Sequence, residues 1–99
     1  MLFVNRPSRR AACGIRQCAL RRVSVCLNIS EGAGRAGSAD KARVYAIARG
    51  ENCEVAAALD IALAGGLCLA EPARRGIVHA RALHALLSGL IRRFVRTGG

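Results

Sequence analysis

The helical organisation of this chain is set by residues 23–35, which read V-S-V-C-L-N-I-S-E-G-A-G-R. At 3.6 residues per turn, the polar side chains around this segment fall on one narrow stripe: Arg21, Ser24, Asn28, Glu31 and Arg35. The rest of the circumference, more than half, is apolar or small: Ala19, Val23, Val25, Cys26, Leu27, Ile29, Ser30 and Ala33. A surface helix needs an apolar sector of only about 100°. We therefore expect this helix to contact two or more partner helices and to be the central element.

Three helices and no strand are predicted, at about residues 15–33, 39–64 and 72–96. Between the first two, Gly32, Gly34 and Gly37 are expected to reverse the chain with positive φ, and Ser38 to cap the second helix. In the third helix, apolar residues recur at alternating steps of three and four, as in a bundle seam, at Ala80, Leu83, Leu87, Leu90 and Phe94. The sequence predicts an all-α, up-down bundle. One domain is expected over residues 13–99, after a basic, loosely ordered lead at residues 1–12.

The charge of the chain is strongly positive and unevenly placed. The 99 residues carry a formal charge of +10, with basic segments at both ends and a near-neutral middle. Such a field attracts nucleic acid or another polyanion. The alternative is compositional, because abundant arginine, alanine and glycine are also what a GC-rich genome encodes. Both interpretations are open at this point.

Arginines on the outer surfaces of the first and third helices are the candidate nucleic-acid-binding residues. Guanidinium groups suit phosphate oxygens because they can donate two hydrogen bonds at once. The only aromatic residues are Phe3, Tyr45 and Phe94, so no platform for stacking unpaired bases is predicted. Binding is therefore expected to be directed at the RNA or DNA backbone; the alternative is a solvated charged face. The candidates are Arg21, Arg22, Arg35, Arg74, Arg75, Arg81, Arg92, Arg93 and Arg96.

Two groups of polar residues are interpreted as structural. Glu31 and Arg35 stand four residues apart and are expected to form an ion pair, while Asn28 caps or bridges a neighbouring helix. Direct contact of these residues with a ligand is the alternative. Glu54 is expected to form a partly buried contact with an arginine across the bundle. Glu51 and Asp60 lie nearby in sequence, but no second motif frames these carboxylates as an acid–base pair.

No catalytic residue, metal site or cofactor is predicted, and the chain is not expected to be an enzyme. The five cysteines show no paired spacing and indicate reduced thiols in the cytoplasm. His79 and His84 point about 140° apart on a helix. No histidine is expected beside Cys26 or Cys53, so neither is predicted to be a nucleophile. The longest uncharged apolar run is about half a membrane span, so no membrane association is predicted.

Two motifs carry a resemblance to a known family. They are S-V-x-x-N-I-x-E-G-x-G-R at residues 24–35 and A-R-x-Y-x-x-A-R-G-x-x-x-E at residues 42–54. Over roughly residues 17–95, the chain resembles four-helix-bundle proteins related to the intervening-sequence protein of large-subunit ribosomal RNA genes. The accessory variability protein of diversity-generating retroelements belongs to the same group. The resemblance implies a non-enzymatic bundle with a basic surface that assembles into a homo-oligomeric ring, commonly a pentamer. In the retroelement type it also implies association with a reverse transcriptase and nucleic acid.

The resemblance assigns structural roles to the residues of both motifs. They are Asn28, Ile29, Glu31, Gly32, Gly34 and Arg35 in the turn-forming segment, and Arg49, Gly50 and Glu54 in the second helix. The chain departs from the family pattern at Cys26, where proline is common, and at Glu51, where serine often follows the glycine. It also shows only three clear helices, with the first family helix short or missing. The chain is therefore expected to be truncated, to start at a wrongly chosen codon, or to cover its exposed seam by self-association.

The function expected from these observations is that of an oligomeric helical-bundle adaptor. It is expected to bind nucleic acid through its arginines, and the resemblance implies that it assists a reverse transcriptase. The alternative is a purely structural or truncated bundle with no nucleic-acid role.

Overall fold

The computed structural model describes the backbone of residues 9–97 and the side chains of residues 16–96. These residues form three α-helices, α1 (Arg9–Gly34), α2 (Ser38–Ala64) and α3 (Ala70–Thr97). The connections at residues 35–37 and 65–69 are short, so consecutive helices are antiparallel neighbours. The prediction of an all-α bundle is confirmed, and the described residues contain no strand.

The first helix is longer than the sequence pattern indicated. It begins at Arg9, whereas the predicted start was near Ile15. Residues 9–12, which were predicted to belong to a loosely ordered lead, are therefore helical. Arginine and alanine are strong helix formers, and Gly14 does not end the helix. Residues 1–8 of the predicted lead lie outside the described part of the chain.

The central helix of the bundle is α2, because it packs against both α1 and α3. Within the described residues, α1 and α3 do not pack closely against each other. The prediction that α1 is the central element is therefore wrong. One side of α1 contacts α2 through Val25 and Gly32, while Leu20, Val23 and Leu27 are 64%, 56% and 65% exposed. Its wide apolar sector is real, but only part of it is covered.

The core lies between α2 and α3. Leu87 is 1% exposed and packs with Tyr45 and Ala48. The ring of Tyr45 stacks on that of Phe94, with 6.0 Å between the ring centroids. The predicted seam of α3 is confirmed, since Ala80 is buried and the other members, Leu83, Leu90 and Phe94, pack against this cluster. Ile91 packs beside them.

The connection between α1 and α2 differs from the prediction. Gly37 is the N-cap of α2, with φ −88° and ψ 143°, and Ser38 is already helical. Gly66 is the only described residue with positive φ, so the predicted reversal through positive-φ glycines at positions 32, 34 and 37 is wrong. The last carbonyls of α1 are bound instead by Lys41, whose Nζ donates to the oxygen of Ala33 at 2.7 Å. A cation at a helix C-terminus satisfies carbonyls that have no partner within the helix.

Two glycines of the motifs give a matched stability prediction. A Cβ atom on Gly32 would lie 2.9 Å from Cε1 of the buried Tyr45 ring, whereas a Cβ on Gly50 would meet nothing within 4 Å. We expect Gly32→Ala to lower the free energy of unfolding by about 1–3 kcal/mol through overpacking. Gly50→Ala is expected to raise it by up to about 1 kcal/mol through helix propensity. Urea unfolding followed by circular dichroism at 222 nm measures both. Equal effects of the same sign would show that Gly32 does not contact Tyr45 closely.

Candidate nucleic-acid interface

Four arginines form one stripe on the outer face of α3. Arg74, Arg81, Arg92 and Arg96 follow one another at steps of seven, eleven and four residues, which keeps them on one side of an α-helix. All four are exposed, and the stripe points away from the buried Leu87. At 1.5 Å of rise per residue it is roughly 33 Å long. We call these four residues the α3 arginine stripe.

The positive charge of the α3 arginine stripe is not compensated by neighbouring carboxylates. Among the residues described by the structure, the ion pairs involve other cations, and none reaches a member of the stripe. Arg22 on α1 likewise has no carboxylate partner in this part of the chain. Uncompensated guanidinium groups on an exposed face leave a positive field that extends into the solvent.

Three of the other predicted arginines are held in ion pairs. Arg21 of α1 pairs with Glu54 of α2, and Arg75 lies 3.6 Å from Glu71 in the same helix. Arg35 donates to Glu31 and lies 3.3 Å from Asp40. The hydrogen bond to Glu31, and then the charge of Asp40, raise the pKa of Arg35 above its ordinary value. The charge of these arginines is offset locally by the carboxylates.

Arg93 stands apart from both groups. Its guanidinium carbon lies 5.8 Å from the centroid of the Phe94 ring, a cation–π geometry, and it makes a further contact. The nine predicted arginines therefore do not form one surface. The structure brings four of them together on the outer face of α3 and leaves the others on other faces or in pairs.

The motif residues join the helices to one another. The Asn28 side-chain amide donates to Glu51, which links α1 to α2. The Arg21–Glu54 pair makes a second such link, and it confirms the predicted contact of Glu54 with an arginine across the bundle. Both partners of that pair are about half exposed. Arg49 Nη1 donates to Ser88 Oγ at 3.1 Å and links α2 to α3. The polar stripe of α1 thus borders the α1–α2 interface, where these contacts support the structural interpretation.

Two glycines of the motifs have no close neighbour in the described structure. Cβ atoms placed on Gly34 or Gly50 would both meet open space. No close approach of another backbone to Gly50 is therefore found within the described residues. Only Gly32 of the motif glycines is buried.

Asn52 is a buried polar residue that the motifs and spacings of the sequence did not bring out. It is 5% exposed, and its Nδ2 donates to the carbonyl oxygen of Ala80 at 2.8 Å, joining α2 to α3. The signal was present in the sequence, because an asparagine stands on the apolar face of α2 between Ala48 and Val55. A buried amide on such a face needs a partner.

The contact of Asn52 with Ala80 gives a second prediction. Asn52→Asp keeps the shape but replaces the donor with an oxygen that faces a carbonyl oxygen. We expect the variant to lose about 1–3 kcal/mol of unfolding free energy at neutral pH. The loss relative to the original chain should shrink in acid, because burial of the new carboxyl favours its protonated form, which donates again. Urea titrations at neutral and acidic pH test this; a loss that does not depend on pH would contradict it.

A histidine lies beside Cys53, contrary to the sequence expectation. Cys53 Sγ of α2 and His84 Nδ1 of α3 are 3.5 Å apart. The two residues are 31 positions apart in the chain, and only the antiparallel register of α2 and α3 brings them together. The statement that no histidine adjoins Cys53 is therefore wrong.

An open groove runs between α1 and α3, with α2 as its floor. Its volume is about 160 Å³, and Val25, Val55 and Leu83 are among the apolar residues that line it. Within the described residues, no three metal-ligating side chains come together. None of the helices there combines the length and apolarity that crossing a bilayer requires.

The architecture and charge define a class of protein, a small basic bundle of antiparallel α-helices whose motif residues tie the helices together. The model of the 23S rRNA-intervening sequence protein family matches residues 8–89. The chain belongs to this family. Comparison with curated proteins and with solved structures found no match.

Proposed function

We propose that this protein is a non-enzymatic, oligomeric adaptor that binds the phosphate backbone of nucleic acid through the α3 arginine stripe. The observation that carries the proposal is the set of four exposed arginines on one helix face without a carboxylate partner in the described chain. A helix face of this length can contact phosphates along about one turn of a duplex, since one turn of B-form DNA spans about 34–36 Å. Arginine also suits phosphate better than most side chains because of its planar, forked donors.

The mode of recognition follows from what accompanies the arginines. Tyr45 is buried and stacks on the half-buried Phe94, so neither ring is free to stack on a base. Without an exposed aromatic platform among the described residues, binding depends on charge and on phosphate contacts. The protein should therefore bind structured RNA and duplex DNA with little dependence on their sequence. The affinity should fall steeply as the salt concentration rises.

The oligomeric part of the proposal rests on the uncovered face of α1. Leu20, Val23 and Leu27 are each more than half exposed, and they share one side of the helix. A cluster of exposed aliphatic residues on one helix marks an interaction surface, and burial contributes about 25 cal/mol per Å² of apolar area. We propose that a second copy of the chain covers this face. A pentamer and a reverse-transcriptase partner are the finer expectations, and both rest on the family resemblance alone.

Binding to a short RNA duplex, the matching DNA duplex and an unstructured single strand tests the proposal. Fluorescence anisotropy is measured between about 50 mM and about 200 mM salt, and light scattering gives the mass of the protein. Micromolar or tighter binding to the duplexes that weakens steeply with salt, by a defined oligomer, is the expected result. No binding at about 50 mM salt by a well-folded protein would favour the alternative, a purely structural bundle.

A further inference from the structure

Cys53 and His84 form an exposed thiol–imidazole pair on the edge where α2 meets α3. The Sγ and Nδ1 atoms are 3.5 Å apart, within hydrogen-bonding distance for sulfur, and both residues are open to solvent. A thiol reacts as its thiolate, and a neighbouring base that takes the proton activates it. Among the described residues, no carboxylate forms an ion pair with His84.

Two hydrogen bonds between α2 and α3 hold the pair in register. Arg49 donates to Ser88 at 3.1 Å, one turn before Cys53 and one turn after His84. The buried Asn52 donates to the carbonyl oxygen of Ala80 at 2.8 Å, next to Cys53 and one turn before His84. These two bonds close to the pair restrict sliding of the two helices. The thiol and the imidazole therefore stay within reach of each other.

The other cysteines with described side chains lack this arrangement. Cys26 is also exposed, but it has no side-chain hydrogen-bond partner among the described residues. Cys18 and Cys68 are half-buried. Cys26 is thus a natural internal control, because it is likewise exposed and no histidine forms a hydrogen bond with it among the described residues.

We propose that Cys53 is a site of thiol–disulfide exchange that takes small disulfides of the glutathione type. In the tautomer with the proton on Nε2, His84 Nδ1 accepts the thiol proton of Cys53. The Cys53 thiolate then attacks one sulfur of the small disulfide; a new S–S bond forms as the original S–S bond breaks. The released thiolate takes the proton from His84. One protein thiol and one disulfide give one mixed disulfide and one free thiol, with no further oxidant.

The experiment compares the modification rates of individual cysteines. The fully reduced chain is treated with glutathione disulfide under native conditions, quenched at intervals, and mapped by peptide mass spectrometry. We expect Cys53 to be modified roughly tenfold faster than Cys26, less than the roughly 10²–10⁴-fold that a positioned base provides in an active site, because the pair is exposed. A Cys53 rate equal to or below that of Cys26 would overturn the proposal.

Substitution of the histidines separates base catalysis from simple exposure. His84→Gln should lower the Cys53 rate to that of Cys26 and leave Cys26 unchanged. His79→Gln, on the same helix but beside the groove, should leave the Cys53 rate unchanged. Partial unfolding of a variant would accelerate all cysteines, so a selective decrease at Cys53 cannot arise from it. An unchanged or faster Cys53 in His84→Gln would contradict the role of the imidazole.

Discussion

Replacing Leu87 with alanine is expected to lower the free energy of unfolding by about 2–5 kcal/mol. Leu87 is 1% exposed and contacts both Tyr45 and Ala48 in the core between α2 and α3. Its truncation removes apolar contacts and leaves a cavity that flanking helices fill only in part. A domain of this size has a total stability of only about 5–15 kcal/mol, so the variant should be near unfolding. Urea titration monitored at 222 nm measures the change.

The neighbouring leucine provides the control for this prediction. Leu86 is 67% exposed, and Leu86→Ala removes the same atoms from the adjacent position. It should change the unfolding free energy by no more than about 0.5 kcal/mol in the isolated chain. A similar decrease in both variants would show that the core is not centred on Leu87. A large decrease in the unfolding free energy for Leu86→Ala alone would show that the buried face of α3 contains Leu86 and not Leu87.

Removing two charges from the α3 arginine stripe is expected to weaken nucleic-acid binding by roughly tenfold to a hundredfold at about 0.1 M salt. An arginine that neutralises a phosphate releases a counterion from the nucleic acid, and this contribution to binding is lost with each substitution. The variant is Arg81→Gln with Arg92→Gln. Both residues are exposed, and neither forms an ion pair within the described residues. Affinity for the short RNA duplex by anisotropy is the measurement.

The control removes the same charge at paired arginines. Arg21→Gln with Arg75→Gln also lowers the net charge by two, but these residues are engaged with Glu54 and Glu71. We expect a decrease in affinity of less than about threefold, because only the long-range field changes. Equal decreases in the two double variants would mean that net charge alone attracts the nucleic acid. The stripe would then have no special role.

Local patterns along one helix were predictable from the sequence. The seam of α3 was identified because its buried residues recur at steps of three and four, and a single apolar side leaves no alternative. The Glu31–Arg35 pair was identified because four residues make about one helical turn. In both cases the residues concerned lie on one helix, so the helical repeat fixes their positions relative to one another.

Relations between helices were not predictable in the same way. The apolar sector of α1 is wide enough for two partners, and nothing in the sequence shows which part is covered. This width favoured α1 as the central helix, but α2 holds that position. The pairing of Arg21 with Glu54 and of Cys53 with His84 depends on interhelical register. That register is set by packing between the helices, and composition does not reveal it.

The sequence predicted an arginine-rich interface, but it did not show which arginines belong to it. The sequence offered nine arginines on the outer surfaces of the first and third helices and could not separate a functional surface from codon bias. The structure divides them by local charge: Arg21, Arg35 and Arg75 have carboxylate partners. The α3 arginine stripe has none within the described chain. Some of these carboxylates lie on a different helix from their arginine, so the sequence alone does not show which charges are compensated.

The salt dependence of binding is the decisive measurement for the proposed interface. The logarithm of the affinity for the RNA duplex is plotted against the logarithm of the salt concentration for the original chain and for the Arg81→Gln, Arg92→Gln variant. We predict that the slope of the variant is shallower by nearly two units, since each phosphate that an arginine neutralises on a duplex contributes about 0.9 to the slope. The same slope in both proteins would show that these arginines neutralise no phosphate, and the outer face of α3 would then not be the nucleic-acid interface.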